Sequence, residues 1–354
     1  MSEQIKILVV DDSAFMRKSL TLLLESDPQI KVIDTASDGI IAIEKIKKIR
    51  PDIVTLDVEM PNMDGISALK IIMKECPTPV LMVSSLTLEG ADITLKALDL
   101  GAIDFIPKEM SFVSVAITGI KEELISKVKA IHKSKSIARR IHPNNLQEKF
   151  VSKNQKPTFP HLPKMRYNAL AIGISTGGPI TLQKVIPLLS EKINIPIFIV
   201  QHMPPKFTAS LAERLNSLSS LYVKEAEDNE IVRSRVVYIA PGGFHLKLEK
   251  DELNNIKIKI SDKPDNTLHR PSVDVMIQSL QEIYGKTVLG LIMTGMGKDG
   301  LEGIKKLKAA GGHCIAQDED SCVVYGMPRA IIENGLADIV ASLEEIPNII
   351  NRAV

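Results

Sequence analysis

The sequence has few cysteines, no long apolar run and no excess of charge of one sign, and each absence excludes a class of protein. Its three cysteines form no disulfide framework and lack the spacing of a zinc site. No apolar run reaches the roughly 18 residues that a transmembrane helix needs. The N-terminus lacks the basic, apolar and small-residue order of a signal peptide. We therefore expect a cytoplasmic protein that is not inserted in a membrane.

The chain has 354 residues, enough for two domains at roughly 150 residues per domain. Its 44 basic and 43 acidic residues nearly balance, but residues 126–166 contain eleven Lys or Arg and one acid, Glu148. The first part of this segment is expected to continue a helix. The stretch from Ile141 to Lys164 has no apolar period and is predicted to be a solvated linker. A charged spacer is favoured over a nucleic-acid-binding segment, so no nucleic-acid partner is expected.

Apolar runs before this linker alternate with amphipathic segments. Five runs are short and rich in Val and Ile: 5–10, 31–36, 52–57, 79–84 and 102–107. Strands that alternate with helices predict a doubly wound, flavodoxin-like α/β domain with five parallel strands.

The same alternation returns after the linker and predicts a second doubly wound α/β domain with a mainly parallel sheet. Its strand candidates are 169–174, 195–201, 236–240, 287–293, 312–317 and 336–340. A polar hairpin is predicted around Asp251–Asn255.

Four charged residues follow strands of the first domain. Asp11 and Asp12 come after the first strand, Asp57 ends the third and Lys108 ends the fifth. Ligands bind at the carboxyl ends of strands in such sheets, so these side chains are expected to converge. Three carboxylates suit Mg²⁺, and the Lys suits a phosphoryl oxygen. Taken singly, Asp12 also fits a helix cap and Lys108 a surface residue.

Residues 1–125 resemble a response-regulator receiver domain through the motifs VVDDS, TLDVEMPNMDG, MVSS and DFIPK. The resemblance implies that Asp57 accepts a phosphoryl group from a histidine kinase. It also implies that Asp11, Asp12, Asp57 and the backbone carbonyl of Glu59 hold Mg²⁺.

The same resemblance implies roles for three further residues of this domain. Lys108 would pair with the phosphoryl group, and Ser84 and Phe105 fall where the family has its hydroxyl and aromatic switch residues. For Phe105, plain core packing is an almost equally good interpretation.

The second domain carries Ser, His and Asp at three strand ends. Ser175 lies in a G-x-S-x-G turn, which fits either a serine nucleophile or a phosphate-binding loop. His202 follows the second strand, and Asp299 follows the strand TVLGLIM. Together they form a candidate triad, although Asp299 also fits a helix N-cap. The chain order Ser, His, Asp differs from that of ordinary α/β-hydrolases.

A glycine pattern in the second domain favours a rival function. Gly295, Gly297 and Gly300 follow a strand and open a helix, and Asp318 lies at the end of the next strand, as in a dinucleotide-binding fingerprint. The carboxylate of Asp299 would lie where the pyrophosphate must bind, so this interpretation is disfavoured.

Residues 167–354 resemble the catalytic domain of the bacterial chemotaxis protein-glutamate methylesterase and glutamine deamidase family. The matching runs are AIGISTGGP, VQHMP, IAPGGFHL, HRPSVDVM and MTGMGKDG. By position, Ser175 is implied as nucleophile, His202 as general base and Asp299 as its orienting acid. Thr176 and Met296 are implied to line the active site and its oxyanion region. The run from His269 to Asp274 is expected to border the cleft.

The full architecture implied is a receiver at 1–125, a basic helical extension and linker at 126–166, and a catalytic domain at 167–354. The implied function is a phosphorylation-activated hydrolase of glutamyl methyl esters, and of specific glutamines, on methyl-accepting chemotaxis receptors. Mg²⁺ would serve the receiver, and ester hydrolysis would need no cofactor. Association with receptor arrays is expected. A nucleotide-dependent oxidoreductase and a non-enzymatic response-regulator output domain remain as alternatives.

Overall fold

The computed structural model describes residues 4–108, 117–134, 162–163 and 165–354, with the backbone alone for 117–120. Internal contacts divide the chain into two units, Met1–Phe150 and Val151–Val354. The predicted linker from Ile141 to Lys164 lies outside the described residues except at 162 and 163. Within the described ranges, no helix is both long and apolar enough to cross a membrane.

The first unit alternates strands and helices along the chain. Its elements are β1 (Ile5–Val10), α1 (Ala14–Glu25), β2 (Ile30–Ala36), α2 (Gly39–Ile49), β3 (Ile53–Asp57), α3 (Gly65–Glu75), β4 (Val80–Ser85), α4 (Leu88–Asp99), β5 (Asp104–Lys108) and α5 (Ile117–Lys133). The five strands form one parallel sheet in the order β2-β1-β3-β4-β5, which confirms the predicted doubly wound fold.

Local chemistry explains where these elements begin. The strands are buried on both faces, as β1 and β3 show, so their sequences are continuous apolar runs rather than alternating ones. Each of the first four helices follows a residue whose side chain accepts a hydrogen bond from a first-turn amide. These caps are Ser13, Asp38, Asp64 and Thr87.

The second unit is larger. Its elements are β6 (Ala169–Ile174), α6 (Gly178–Val185), β7 (Ile197–Gln201), α7 (Phe207–Leu218), β8 (Tyr222–Glu225), β9 (Val236–Ile239), β10 (His245–Lys250), β11 (Ile256–Ser261), α8 (Val273–Tyr284), β12 (Val288–Ile292), α9 (Leu301–Ala309), β13 (His313–Gln317), α10 (Met327–Glu333), β14 (Ile339–Ala341) and α11 (Ile346–Ala353). Seven strands form a parallel sheet in the order β14-β13-β12-β6-β7-β9-β8.

The hairpin predicted around Asp251–Asn255 is confirmed, because β10 and β11 pair antiparallel on either side of it. The strand β8 was not predicted. It lies at the edge of the sheet, pairs only with β9, and buries only Val223 fully, so its sequence has no apolar run. The last strand begins at Ile339 rather than at 336.

Strand order decides where a site can form in each sheet. In the first sheet β1 lies between β2 and β3, and in the second β6 lies between β12 and β7. At such a point the connections that follow two adjacent strands run to opposite sides of the sheet, which opens a crevice at the carboxyl ends of those strands. The residues that follow these strands are therefore the candidates for chemistry.

Candidate functional site

The structure brings the four predicted charged residues of the first unit together. Ligand oxygens of Asp11, Asp12 and Asp57 lie within 4.8 Å of one another. The Nζ atom of Lys108 lies 3.0 Å from Oδ2 of Asp11 and 2.7 Å from Oδ2 of Asp57. Asp11 and Asp57 are buried and Asp12 is exposed, so the cluster is open to solvent on one side.

Buried negative charge exceeds positive charge in this cluster. Burial raises the pKa of Asp57 to about 6, an effect that the ion pair with Lys108 opposes and the charge of Asp11 reinforces. Burial would lower the pKa of Lys108, but the carboxylates of Asp57 and Asp11 raise it above its usual value. The cluster thus holds three carboxylates and one ammonium group, which pairs with two of them. The carboxylate oxygens fit a small divalent cation such as Mg²⁺.

The predicted switch residues lie in the two strands beside this cluster. The buried Ser84 hydroxyl donates to the carbonyl oxygen of Gly90, at 3.2 Å. Phe105 is buried, and the Nζ atom of Lys127 lies 5.4 Å from its ring centre. The backbone N–H of Glu59 lies 3.4 Å from Oδ1 of Asp57, which places this loop beside the carboxylate.

In the second unit Ser175 follows β6 in a tight turn. Its N–H donates to the carbonyl of Thr294 at 3.0 Å, and its own carbonyl accepts from the N–H of Gly178 at 2.8 Å. Gly177 has a φ of +73°, a conformation that L side chains rarely adopt. A Cβ on Gly295 would lie 2.8 Å from Cβ of Ser175, so the loop after β12 lies directly against this turn.

His202 follows β7, the strand that neighbours β6. Its Nε2 atom lies 2.8 Å from Oδ2 of Asp299. Its ring stacks on that of His269, with ring centres 4.1 Å apart and planes 20° from parallel. Its Nδ1 atom is buried and has no hydrogen-bond partner among the described residues, so no hydrogen bond joins His202 to Ser175 here.

Asp299 accepts hydrogen bonds from another helix as well as from His202. The N–H groups of Val273 and Asp274, the first two residues of α8, donate to it at 2.7 and 3.0 Å. The hydroxyl of Ser272 and the N–H of Gly300 donate at 3.0 Å each. Asp299 therefore binds the first amides of α8, whose N-cap residue is Ser272. The sequence suggested instead that Asp299 caps the helix that follows it, α9, which has no side-chain cap.

These bonds fix the charge of Asp299. Burial would raise its pKa, but the hydrogen bonds from His202 and from the amides of Asp274 and Val273 hold the pKa well below the ordinary value. The group next to the imidazole is therefore a carboxylate. A carboxylate 2.8 Å from Nε2 accepts a hydrogen bond from the N–H at that nitrogen, which leaves Nδ1 as the basic atom of the ring.

Thr176 and Met296 lie on the two loops that meet at Ser175. The carbonyl of Thr176 accepts from the Thr294 hydroxyl at 3.0 Å, which joins the Ser175 turn to the loop after β12. The backbone N–H groups of Thr176 and Met296 donate to no residue in the described part of the chain. Both amides thus remain able to bind an oxygen atom of a ligand.

The geometry disfavours the dinucleotide interpretation. The N–H of Gly300, which would bind a pyrophosphate at the start of α9, donates instead to Oδ1 of Asp299. An ionised carboxylate therefore occupies the anion position that the glycine pattern offered.

Sequence reasoning missed two buried amides at strand ends. Gln201 ends β7 and is 2% exposed; Gln317 ends β13, and its Oε1 accepts from the N–H of Thr294 at 2.8 Å. Ser272, which bonds Asp299, was not singled out either. The available signal was a polar residue that closes an otherwise apolar strand, as in IFIVQ and HCIAQ.

Comparisons with known proteins cover both units. A family model described as CheB methylesterase matches residues 170–350, and one described as response regulator receiver domain matches residues 7–116. A protein-glutamate methylesterase/protein-glutamine glutaminase of Pyrococcus horikoshii is 45% identical over 100% of this chain and 95% of that relative. One of Lawsonia intracellularis, with the same description, is 47% identical over 96% of this chain and 97% of its own length.

A solved structure also resembles the second unit. The crystal structure of the Thermotoga maritima CheB methylesterase catalytic domain matches with a TM-score of 0.52 and 45% sequence identity. The match covers 54% of this chain and 100% of that domain.

Proposed function

The chain belongs to the CheB methylesterase family, and from that membership we propose that it is a protein-glutamate methylesterase and protein-glutamine glutaminase. Its substrates would be methylated chemotaxis receptors, and phosphorylation of the receiver would activate it. The observation that carries the catalytic part is the bond of 2.8 Å between His202 and the ionised Asp299, one strand away from the Ser175 turn.

In the first half-reaction, Oγ of Ser175 attacks the side-chain carbonyl carbon of the substrate. The Ser175 proton passes to Nδ1 of His202, because Nε2 keeps its own proton for Asp299. His202 then gives this proton to the leaving group. Methanol leaves from a glutamyl methyl ester and ammonia from a glutamine, so the same acyl-enzyme serves both substrates.

In the second half-reaction, water attacks the acyl-enzyme. His202 takes a proton from this water and returns it to Oγ of Ser175, which frees a glutamate side chain and restores the enzyme. The N–H groups of Thr176 and Met296 would stabilise the oxyanion in both steps, since neither donates to a described residue. None of these steps calls for a metal.

The receiver part of the proposal rests on the acidic cluster. Asp11, Asp12 and Asp57, with the backbone carbonyl of Glu59, would hold Mg²⁺, which supplies positive charge against a phosphoryl group. Asp57 would accept that group from a chemotaxis histidine kinase. Lys108, already within 3.0 Å of two of these carboxylates, would pair with it.

Ser84 and Phe105 would report phosphorylation to the rest of the unit. Ser84 would exchange its bond to Gly90 for one to a phosphoryl oxygen, and Phe105 would shift beside it. The proposed substrates are receptors in the membrane. We therefore expect the enzyme in the cytoplasm, associated with receptor arrays and not itself inserted in the membrane.

The experiment that tests this function measures methanol release from membranes that contain methylated receptors, with and without Mg²⁺ and a small phosphodonor. We expect release that the donor stimulates and that Ser175→Ala abolishes, with a nearly unchanged thermal transition in the variant. Turnover near the wild-type rate in Ser175→Ala would overturn the assignment of the nucleophile. Saturable NAD binding without methanol release would instead support the dinucleotide alternative.

A further inference from the structure

The side-chain amide of Gln201 bonds the backbone of both residues proposed as nucleophile and base. Its Nε2 atom donates to the carbonyl oxygen of Ser175 at 3.0 Å and to that of His202 at 3.2 Å. Gln201 is 2% exposed, so water does not compete for these bonds. A primary amide has two N–H donors, and both are used here.

The orientation of this amide follows from its partners. With nitrogen and oxygen exchanged, Oε1 would face two carbonyl oxygens and both bonds would become repulsive. In the orientation observed, Oε1 is buried and has no hydrogen-bond partner among the described residues. The unpaired Oε1 is energetically unfavourable. The two hydrogen bonds from Nε2 to the carbonyls of Ser175 and His202 are made despite that cost.

The side-chain amide of Gln201 packs directly against the backbone of Gly178. A Cβ built on Gly178 would lie 1.8 Å from Oε1 of Gln201. The φ of Gly178 lies outside the left-handed range, so backbone conformation does not require a glycine there. The requirement for glycine comes from the Gln201 amide, which occupies the space where a side chain would be.

Holding the Ser175 carbonyl also sets the direction of the next N–H. In a planar trans peptide the N–H points opposite to the C=O, so the carbonyl of Ser175 and the N–H of Thr176 point in opposite directions. The amide of Gln201 and the N–H of Gly178 both hold that carbonyl on one side. The Thr176 N–H is thereby directed to the other side, where an oxyanion would bind.

We propose that Gln201 is a positioning residue, whose amide holds the Thr176 oxyanion donor and the His202 base in a fixed mutual orientation. This role rests on the proposed function, because it presupposes Ser175 as nucleophile. It acts on the transition state rather than on substrate binding, so its removal lowers kcat more than it changes KM.

The first test replaces Gln201 by Met, which keeps the length of the side chain and removes both donors. We expect kcat for methanol release to fall about 10- to 100-fold, with KM changed by less than about twofold. Gln183→Met is the matched control, because the buried Nε2 of Gln183, on α6, bonds no residue in the described ranges. That control should keep the wild-type kcat.

The second test uses Gln201→Glu and a pH profile. A buried carboxylate facing two carbonyl oxygens is repelled, whereas a protonated carboxyl donates to one of them. The ratio of variant to wild-type kcat should therefore rise as pH falls from about 8 to about 5, whatever the wild-type profile. The kcat of each protein is taken per folded molecule at each pH, so a residue that serves folding alone would give a ratio independent of pH.

The third test is a double-mutant cycle with Gly178→Ala. The new methyl group should displace the Gln201 amide and reproduce the kcat loss of Gln201→Met. The double variant should then lose little more than either single variant, which is the signature of a shared cause.

The outcomes separate this inference from the proposed function. An active Ser175→Ala variant would overturn the proposed function itself. An inactive Ser175→Ala together with wild-type kcat in Gln201→Met would leave the function and overturn the positioning role. Should Gln201→Met fail to fold, the pH ratio of Gln201→Glu and the Gly178→Ala kcat decide the matter.

Discussion

The Nε2 atom of His202 lies 2.8 Å from Oδ2 of Asp299, and the same oxygen accepts the N–H of Val273 at 2.7 Å. One carboxylate thus joins the imidazole to the first turn of α8. Because a helix N-terminus stabilises negative charge, it keeps Asp299 ionised beside the ring. The ring orientation is therefore set by a helix that contributes no catalytic side chain.

Asp299→Asn should lower kcat for methanol release by roughly 10³- to 10⁴-fold. An Asn that keeps its oxygen at the Oδ1 position, where the amides of Asp274 and Gly300 donate, presents its NH2 group to Nε2. That contact favours the tautomer with the proton on Nδ1. His202 then cannot act as the base through that atom. Single-turnover methanol release measures the effect.

Ser272→Ala is the control for this prediction, because it removes a bond of 3.0 Å to Oδ1 of Asp299 and leaves the bond to His202. We expect it to cost less than about tenfold in kcat. Equal losses in Ser272→Ala and Asp299→Asn would contradict a role for Asp299 in choosing the tautomer.

Asp57→Asn should abolish the stimulation of methanol release by a small phosphodonor and leave the basal rate. Removal of Mg²⁺ with a chelator should do the same to the wild-type chain, because the cation is proposed only for the receiver. Asp92→Asn, on the exposed face of α4, is the matched control and should keep the stimulation. Stimulation that persists in Asp57→Asn would show that the phosphoryl group enters elsewhere.

Lys127→Met should weaken the attachment of α5 to its sheet. The Nζ atom of Lys127 donates to the carbonyl of Phe105 at 2.7 Å and lies 3.2 Å from Oδ2 of the buried Asp104. Removal of the ammonium leaves a buried carboxylate without its partner, at a cost of about 3–5 kcal/mol.

Native-state hydrogen exchange of the α5 amides measures this loss as a lower free energy of opening. Lys133→Met removes an exposed lysine from the same helix and should change the opening free energy by less than about 0.5 kcal/mol. Similar exchange rates in the two variants would contradict the buried ion pair.

Asp274→Asn should stabilise the protein at neutral pH but not at acid pH. Burial, reinforced by the charge of Asp299, raises the pKa of Asp274 to about 6, above the ordinary value of 3.8. The folded wild-type chain binds this proton more tightly than the unfolded chain, so the protonated Asp274 contributes its full stabilisation of the wild-type fold at acid pH. This contribution to the stability of the wild type is lost as pH rises from about 4 to about 6.

Asn removes this titration and keeps an oxygen for the N–H of Gly303, which bonds Asp274 at 2.6 Å. The Tm of the variant should therefore gain on that of the wild type as pH rises through this window, and the gain should level off near pH 7. Calorimetry across this range measures the difference. A Tm difference that does not vary with pH would contradict a raised pKa at Asp274 and a cost of ionising its buried carboxyl.

Much of the fold was readable from the sequence because parallel strands buried on both faces are continuous apolar runs. The two parallel sheets followed from that pattern, and the hairpin at Asp251–Asn255 followed from a polar turn between two alternating segments. The four charged receiver residues converge as their strand ends predicted. The edge strand β8 was missed because only one of its sides is paired and little of it is buried.

The family, the alternation of strands and helices, and the strand ends where chemistry can occur were all readable from the sequence, because burial and turn chemistry act locally along the chain. The packed structure alone shows that Asp299 binds the first amides of α8, that His269 stacks on His202, and that Gln201 bonds the carbonyls of Ser175 and His202. Most of these contacts join residues tens of positions apart, and their geometry depends on rotamers that only the packed sheet selects.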